Sequence, residues 1–224
     1  KSENKTFNFT FKRNIVPVKS VDVAVMLNET TGYIKVNRFA ATTYKEFKKA
    51  LDDLKKQNAS EFILDFRNNG GGYVEIADQM IEEFLPKDQV MVRLISKAGT
   101  EDRIKSKGKG EYLKEKVYVI IDENSASASE IFAGAIQDND RGVIIGRRSF
   151  GKGLVQQDMS LGDGSSIRLT VSKYHTPSGR SIQKPYALGD KEYKNDFHNR
   201  ITSRELYIKD SIKIIDSVSY KTLA

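Results

Sequence analysis

Cysteine is absent from the 224 residues, and only two histidines and four prolines occur. Without a thiol the chain can form no disulfide, no cysteine-ligated zinc and no cysteine nucleophile. This lack leaves the compartment open, because exported proteins without cysteine are ordinary. Two histidines leave only His175 and His198 as bases for a histidine triad. His175 stands at a strand end before Thr176-Pro177, and His198 lies in a polar stretch with Asp196, Asn199 and Arg200, so nothing frames either as the partner of a serine. No apolar run approaches the ~20 residues that cross a bilayer. No pattern of charge, apolar stretch and small-residue cleavage site opens the chain, and its start at Lys1 rather than Met agrees with a leader or anchor removed upstream.

What is present suits one good core with a small appendage: 38% of residues are hydrophobic and 30% charged. The net charge is +7 and the pI about 9.3. Basic residues are interleaved with acids through 45–56 and 105–116, the look of solvated faces, so no nucleic-acid partner is expected.

Along the chain, weak alternation through Phe7, Phe9, Phe11 and then Val18, Val21, Val23, Val25 predicts short strands around Pro17. Residues 32–39 alternate as a strand, and Thr42 or Thr43 can open a helix to Gln57 with the stripe Tyr44, Phe47, Leu51, Leu54. A strand at 62–66, a helix at 75–84 closed by Pro86, a strand at 90–95, a hairpin or exposed excursion at 96–115, a buried strand at 117–122 and a strand at 142–146 follow. This order predicts β-α-β units with parallel pairing. Strand-like stretches at 154–159 and 166–174 flank a Gly162-Asp163-Gly164 turn, and beyond Tyr186 the chain is polar apart from an apolar patch at 208–218.

Three stretches could carry chemistry. Asn124-Ser125-Ala126-Ser127-Ala128-Ser129-Glu130 joins a buried strand to a helix, where free N–H groups and the macrodipole favour developing negative charge. Ser127 there reads equally as a nucleophile or as the N-cap of a capping box with Glu130. Lys152, between Gly151 and Gly153, can approach a neighbouring element closely and act as a base if desolvation strips its proton, or it is a surface loop lysine. Arg67-Asn68-Asn69-Gly70-Gly71-Gly72 can turn successive N–H groups to one point, as an oxyanion hole, a phosphate nest or a flexible turn, and it matches no nucleotide fingerprint. Asp65, Asp122, Glu123 and Asp138 share no evident face and no ligand spacing, so no metal is expected.

Together these motifs, with Gln137-Asp138, Val155-Gln156 and Tyr174-His175-Thr176-Pro177-Ser178-Gly179, resemble the C-terminal processing peptidases, or tail-specific proteases, in order and spacing over residues 12–186. The resemblance implies an α/β fold with a crotonase-like (Clp/crotonase) core, extended by strands from both terminal segments. It implies a bacterial serine endopeptidase without a cofactor, in which Ser127 is nucleophile, Lys152 general base and Gln156 the residue that orients the lysine. Backbone N–H groups of Ala128 and of Gly71 or Gly72 would form the oxyanion hole, and Asp138 would support the site. Substrates would be extended polypeptides cut near their C-termini. The family also implies export to the periplasm or outer membrane face, a PDZ domain outside this chain and an open oligomeric state. Residues 1–31 then read as strands bordering that domain, 32–186 as the protease core, and 187–224 as a truncated polar segment. Alternatives are a catalytically silent scaffold on the same core and a crotonase-type acyl-thioester enzyme.

Overall fold

The computed structural model describes residues 6–13, 18–186 and 189–207. Its elements are β1 (Val21–Met26), β2 (Thr31–Val36), α1 (Thr43–Lys56), β3 (Glu61–Asp65), α2 (Val74–Glu82), β4 (Val90–Ser96), β5 (Glu101–Lys105), β6 (Lys116–Ile121), α3 (Ala128–Asp138), β7 (Val143–Gly146), β8 (Leu154–Ser160), β9 (Ser166–His175) and α4 (Gly189–Thr202). The fold is mixed α/β with two sheets, of strand order β1-β2-β3-β6-β7 and β5-β4-β9-β8.

In the first sheet β2, β3, β6 and β7 run parallel, and β1 adds antiparallel at the β2 edge. Period-two burial makes Ile34, Val36, Phe62, Leu64, Val117 and Val119 one apolar face. The α1 stripe Phe47, Leu51, Leu54 and the α3 residues Ile131, Phe132, Ala135 join it in one core. Aromatic rings tie the layers together: Phe66 meets Phe132 edge to face at 4.9 Å and Phe39 at 5.5 Å. Those contacts place the end of β3 against the start of α3, which is where the glycine and serine motifs lie.

The parallel layer does not take in every predicted strand. β4 leaves it and pairs antiparallel with β5 and β9, for example Leu94 opposite Tyr174. Strand-helix alternation is a local signal and carries no information about so distant a partner. Phe7, Phe9 and Phe11 alternate as predicted but form no strand and pair with no sheet edge among the described residues, and they are 69, 74 and 87% exposed. The polar segment after Tyr186 contains α4, which has no apolar stripe. It is held by ion pairs of Asp196 with Arg148 and Lys184, and by the Tyr186–Tyr193 stack at 4.4 Å. The apolar patch at 208–218 lies outside the described residues.

Candidate active site

The turn from β6 into α3 sorts its three serines by burial. Ser125 and Ser129 are fully buried. The Ser125 hydroxyl donates to the Phe66 carbonyl at 2.8 Å and accepts the Asp122 N–H at 2.9 Å, while the Ser129 hydroxyl donates to the Asn69 carbonyl at 2.9 Å. Both therefore fasten the turn to the loop after β3. Ser127 is partly exposed, and its hydroxyl bonds no group among the described residues. Its φ of +55° with ψ of −114° is costly for a residue with a Cβ. The strain swings the side chain out of the turn at the head of α3.

The predicted capping box is in place: Glu130 Oε2 accepts the Ser127 N–H at 2.8 Å, and the Ser127 side chain faces the Glu130 N–H. That N–H makes its hydrogen bond to the Ser127 carbonyl, at 2.9 Å, so the Ser127 hydroxyl makes no cap hydrogen bond of its own.

The loop 67–72 is built around Asn69, whose Nδ2 donates to the Val36 carbonyl and whose Oδ1 accepts the Gly71 N–H, each at 2.9 Å. Asp122 accepts the Asn68 N–H at 3.0 Å from across the turn. Gly71, at φ +96°, lies against the serine turn: a Cβ there would stand 2.6 Å from the Ala126 carbonyl oxygen and 2.8 Å from Ser127 Cβ. Gly72 bridges to Phe39. With the Gly71 N–H committed to Asn69, the N–H groups of Gly72 and Ala128 are those without an acceptor among the described residues.

Residues 149–153 dock on the other side of the serine turn. Phe150 N–H reaches the Ser125 carbonyl at 3.0 Å. The Lys152 N–H donates to Glu130 Oε2 at 2.8 Å, the same oxygen that holds Ser127. The Lys152 and Gln156 side chains are exposed, and no hydrogen bond joins Ser127 Oγ, Lys152 Nζ and Gln156 among the described residues. Opposite Gln156, β9 carries an extra residue, Val171, that shifts the register of the β8–β9 hairpin.

Asp138, at the end of α3, is buried and accepts the Ser178 N–H at 3.1 Å and the Ser178 hydroxyl at 2.5 Å, with Arg180 on its other oxygen. It latches the 176–180 turn to α3 and bonds neither Lys152 nor Ser127. Burial raises its carboxyl, but bonds from Ser178, Thr176 and Arg180 outweigh that and hold it below the ordinary value.

Asp65 is also buried. It takes two-pronged bonds from Arg67 and a 2.6 Å bond from the Tyr33 hydroxyl. Burial opposes its ionised form, yet these donors hold the carboxyl far below the usual carboxylate range. A depressed folded-state pKa contributes stability above the unfolded value of about 3.9, lost as pH falls below it. Asp65→Asn is thus expected to cost about 2 kcal/mol at neutral pH, with the difference from wild type shrinking below about pH 4 in urea titrations. A difference independent of pH down to 2.5 would refute the ionic role.

His175 Nδ1 lies 3.2 Å from the Gly179 carbonyl, and His198 is exposed on α4, so neither is placed as a base for Ser127. Glu123 is paired with Arg147. The carboxyl most raised is elsewhere: Asp78, pushed up to about 6 by burial and then by the Glu75 charge, lines a groove of about 390 Å³ with Tyr44, Glu82, Met91 and Ile104. That groove has no serine, threonine or histidine and shares no lining residue with the serine turn.

Sequence reasoning singled out Ser127, Lys152 and the glycines as candidates but not the anchoring role of Asn69 or the wider contacts of Glu130. Three-residue spacing made Glu130 look like a local cap, and its long-range partners carry no sequence periodicity.

Residues 30–192 match the family model described as peptidase family S41. The chain is 37% identical over 181 residues to a carboxyl-terminal-processing protease of Synechocystis sp., covering 79% of this chain and 42% of that protein. It is 36% identical over 185 residues to the carboxy-terminal processing protease CtpB of Bacillus subtilis, covering 80% and 38%. The chain thus spans less than half the length of these curated relatives. Among solved structures, the photosystem II D1 C-terminal processing protease superposes with a TM-score of 0.65 at 32% identity, over 74% of this chain and 44% of that one. A putative S41 protease of Bacteroides fragilis shares the fold at TM-score 0.63 and 17% identity, over 86% and 59%. With the family model covering both the glycine loop and the serine turn, this chain belongs to peptidase family S41.

Proposed function

We propose that the chain is the protease core of a serine endopeptidase that cuts extended polypeptides near their C-termini, on a crotonase-like core. One observation carries the reading: the backbone N–H groups of Ser127 and Lys152 donate to one and the same oxygen of Glu130, each at 2.8 Å, so their nitrogens are no further apart than those two bonds laid end to end. In the reaction, neutral Lys152 takes the Ser127 hydroxyl proton as Oγ bonds to the scissile carbonyl carbon. The Gly72 and Ala128 N–H groups stabilise the oxyanion, a donor of this kind being worth ~3 kcal/mol. The C–N bond then breaks, the lysine returns the proton to the leaving amine, and water attacks the acyl-enzyme by the same route. Gln156 orients the lysine. Substrate binds as an added strand, which favours backbone contacts over side-chain identity. A PDZ domain outside these residues delivers tails, and the enzyme works outside the cytoplasm.

The test is a fluorophosphonate adduct mapped by peptide mass, together with cleavage of an extended reporter peptide. A single adduct on Ser127 is expected. Labelling on Ser125 or Ser129 would move the nucleophile, and absence of labelling up to pH 10 would favour a silent scaffold.

A further inference from the structure

We propose that Glu130 is a positioning residue for the reaction: its carboxylate fixes the loop that bears the base against the turn that bears the nucleophile. The proposal rests on the serine–lysine reading above. Glu130 is 6% exposed, and both its oxygens are used, Oε2 on both sides of the joint and Oε1 on the loop alone. Oε2 accepts from Ser127 N–H and Lys152 N–H at 2.8 Å each, and Oε1 accepts from Ser149 Oγ at 2.7 Å and Gly151 N–H at 2.6 Å. One donor belongs to the serine turn and three to the loop.

A buried carboxylate normally demands a cation. Here no lysine or arginine pairs with Glu130 among the described salt bridges. Four donors and its place in the first turn of α3 supply the compensation, since a helix N-terminus favours negative charge. A capping role would need only the Ser127 bond. The three loop bonds are surplus to capping, and they fall on the residues that flank and include the base.

Besides the Phe150 N–H bond to the Ser125 carbonyl at 3.0 Å, the loop is tied on its far side, where the Lys184 N–H donates to the Gly151 carbonyl at 3.0 Å and the Gly153 N–H to Gln183 Oε1 at 3.0 Å. A cavity of about 170 Å³, lined by Glu130, Ser149, Thr176, Arg180 and Ile182, leaves room for Ser149 to shift once the carboxylate lets go. Glu130 bonds neither the Ser127 hydroxyl nor Lys152 Nζ, so it acts through position alone.

Glu130→Gln and Ser149→Ala test this with three readouts: steady-state kinetics on the reporter peptide, fluorophosphonate labelling rate, and hydrogen exchange of residues 149–153. Glutamine keeps the volume but turns an acceptor into a donor facing backbone N–H groups. Expected for Glu130→Gln are a kcat about 10²-fold lower with KM changed by less than about threefold, equally slow labelling, and faster exchange confined to 149–153. Ser149→Ala, which removes one donor of four, should show the same pattern with a kcat loss of about three- to tenfold. If wild type is not labelled, the serine–lysine reading fails. If wild type is labelled and Glu130→Gln is labelled at the same rate, the positioning role fails while that reading stands. Should Glu130→Gln not fold, Ser149→Ala decides, and unchanged kcat with unchanged exchange there overturns the proposal.

Discussion

Ser127→Ala is expected to lower kcat on an extended reporter peptide by about 10⁴-fold or more, the scale seen when a nucleophile is removed, while the protein unfolds at the wild-type temperature. The stability half of this result follows from geometry. The Ser127 hydroxyl makes no hydrogen bond among the described residues, and serine and alanine carry the same Cβ strain at φ +55°. Ser125→Ala should show the opposite signature. Its hydroxyl bridges the Phe66 carbonyl and the Asp122 N–H in a fully buried position, so its loss leaves the Asp122 N–H without that acceptor and the Phe66 carbonyl with only the Asn69 N–H, at a cost of about 1–3 kcal/mol. Fluorophosphonate labelling of Ser127 should survive in Ser125→Ala wherever the protein remains folded. Turnover persisting in Ser127→Ala, or a large loss of stability there, would sink the assignment of Ser127 as the free hydroxyl.

Gly71→Ala is expected to cost about 3 kcal/mol or more, by adding overpacking to backbone strain. The new Cβ would meet the Ala126 carbonyl oxygen at 2.6 Å, Ser127 Cβ at 2.8 Å and the Ala128 nitrogen at 3.0 Å, all atoms that cannot swing aside. The φ of +96° is itself closed to alanine at low cost. Relief requires the glycine loop and the serine turn to part, which also displaces the Gly72 and Ala128 N–H groups from a common point. The variant should therefore lose both stability and turnover, with Tm lower by about 6–12 °C. Gly70→Ala is the control: a Cβ there meets nothing within 4 Å, and a surface change of this kind stays within about 0.5 kcal/mol. Equal urea midpoints for the two variants would overturn the steric account.

These predictions also mark how far the chain could be read without coordinates. Helix α1 emerged from the spacing of Phe47, Leu51 and Leu54, β2 from alternation, and β3 and β6 from short apolar runs, because these patterns are local and their apolar faces are obligatory. The β8–β9 hairpin was legible from its Gly162-Asp163-Gly164 turn. Helix α4 was not, because a helix held by ion pairs and one aromatic stack leaves no apolar period to read. β4 was read as a strand, but its sheet was not legible, since its pairing with β9 is settled by a partner far along the chain.

The sequence by itself determined which groups are available for chemistry: no thiol, two histidines, three serines in one turn, a glycine-flanked lysine and a triple glycine, in an order that fits one family. Tertiary structure decided which of them are free. Burial against the loop after β3 ties up Ser125 and Ser129, Asn69 takes the Gly71 N–H, and Asp138 is spent on the 176–180 turn. It also made Glu130, the cap of α3, the joint between two loops. Hydrogen-bond partners this distant in sequence are chosen by the packing of Phe66 on Phe132 and of the loops upon them, which only the folded chain specifies.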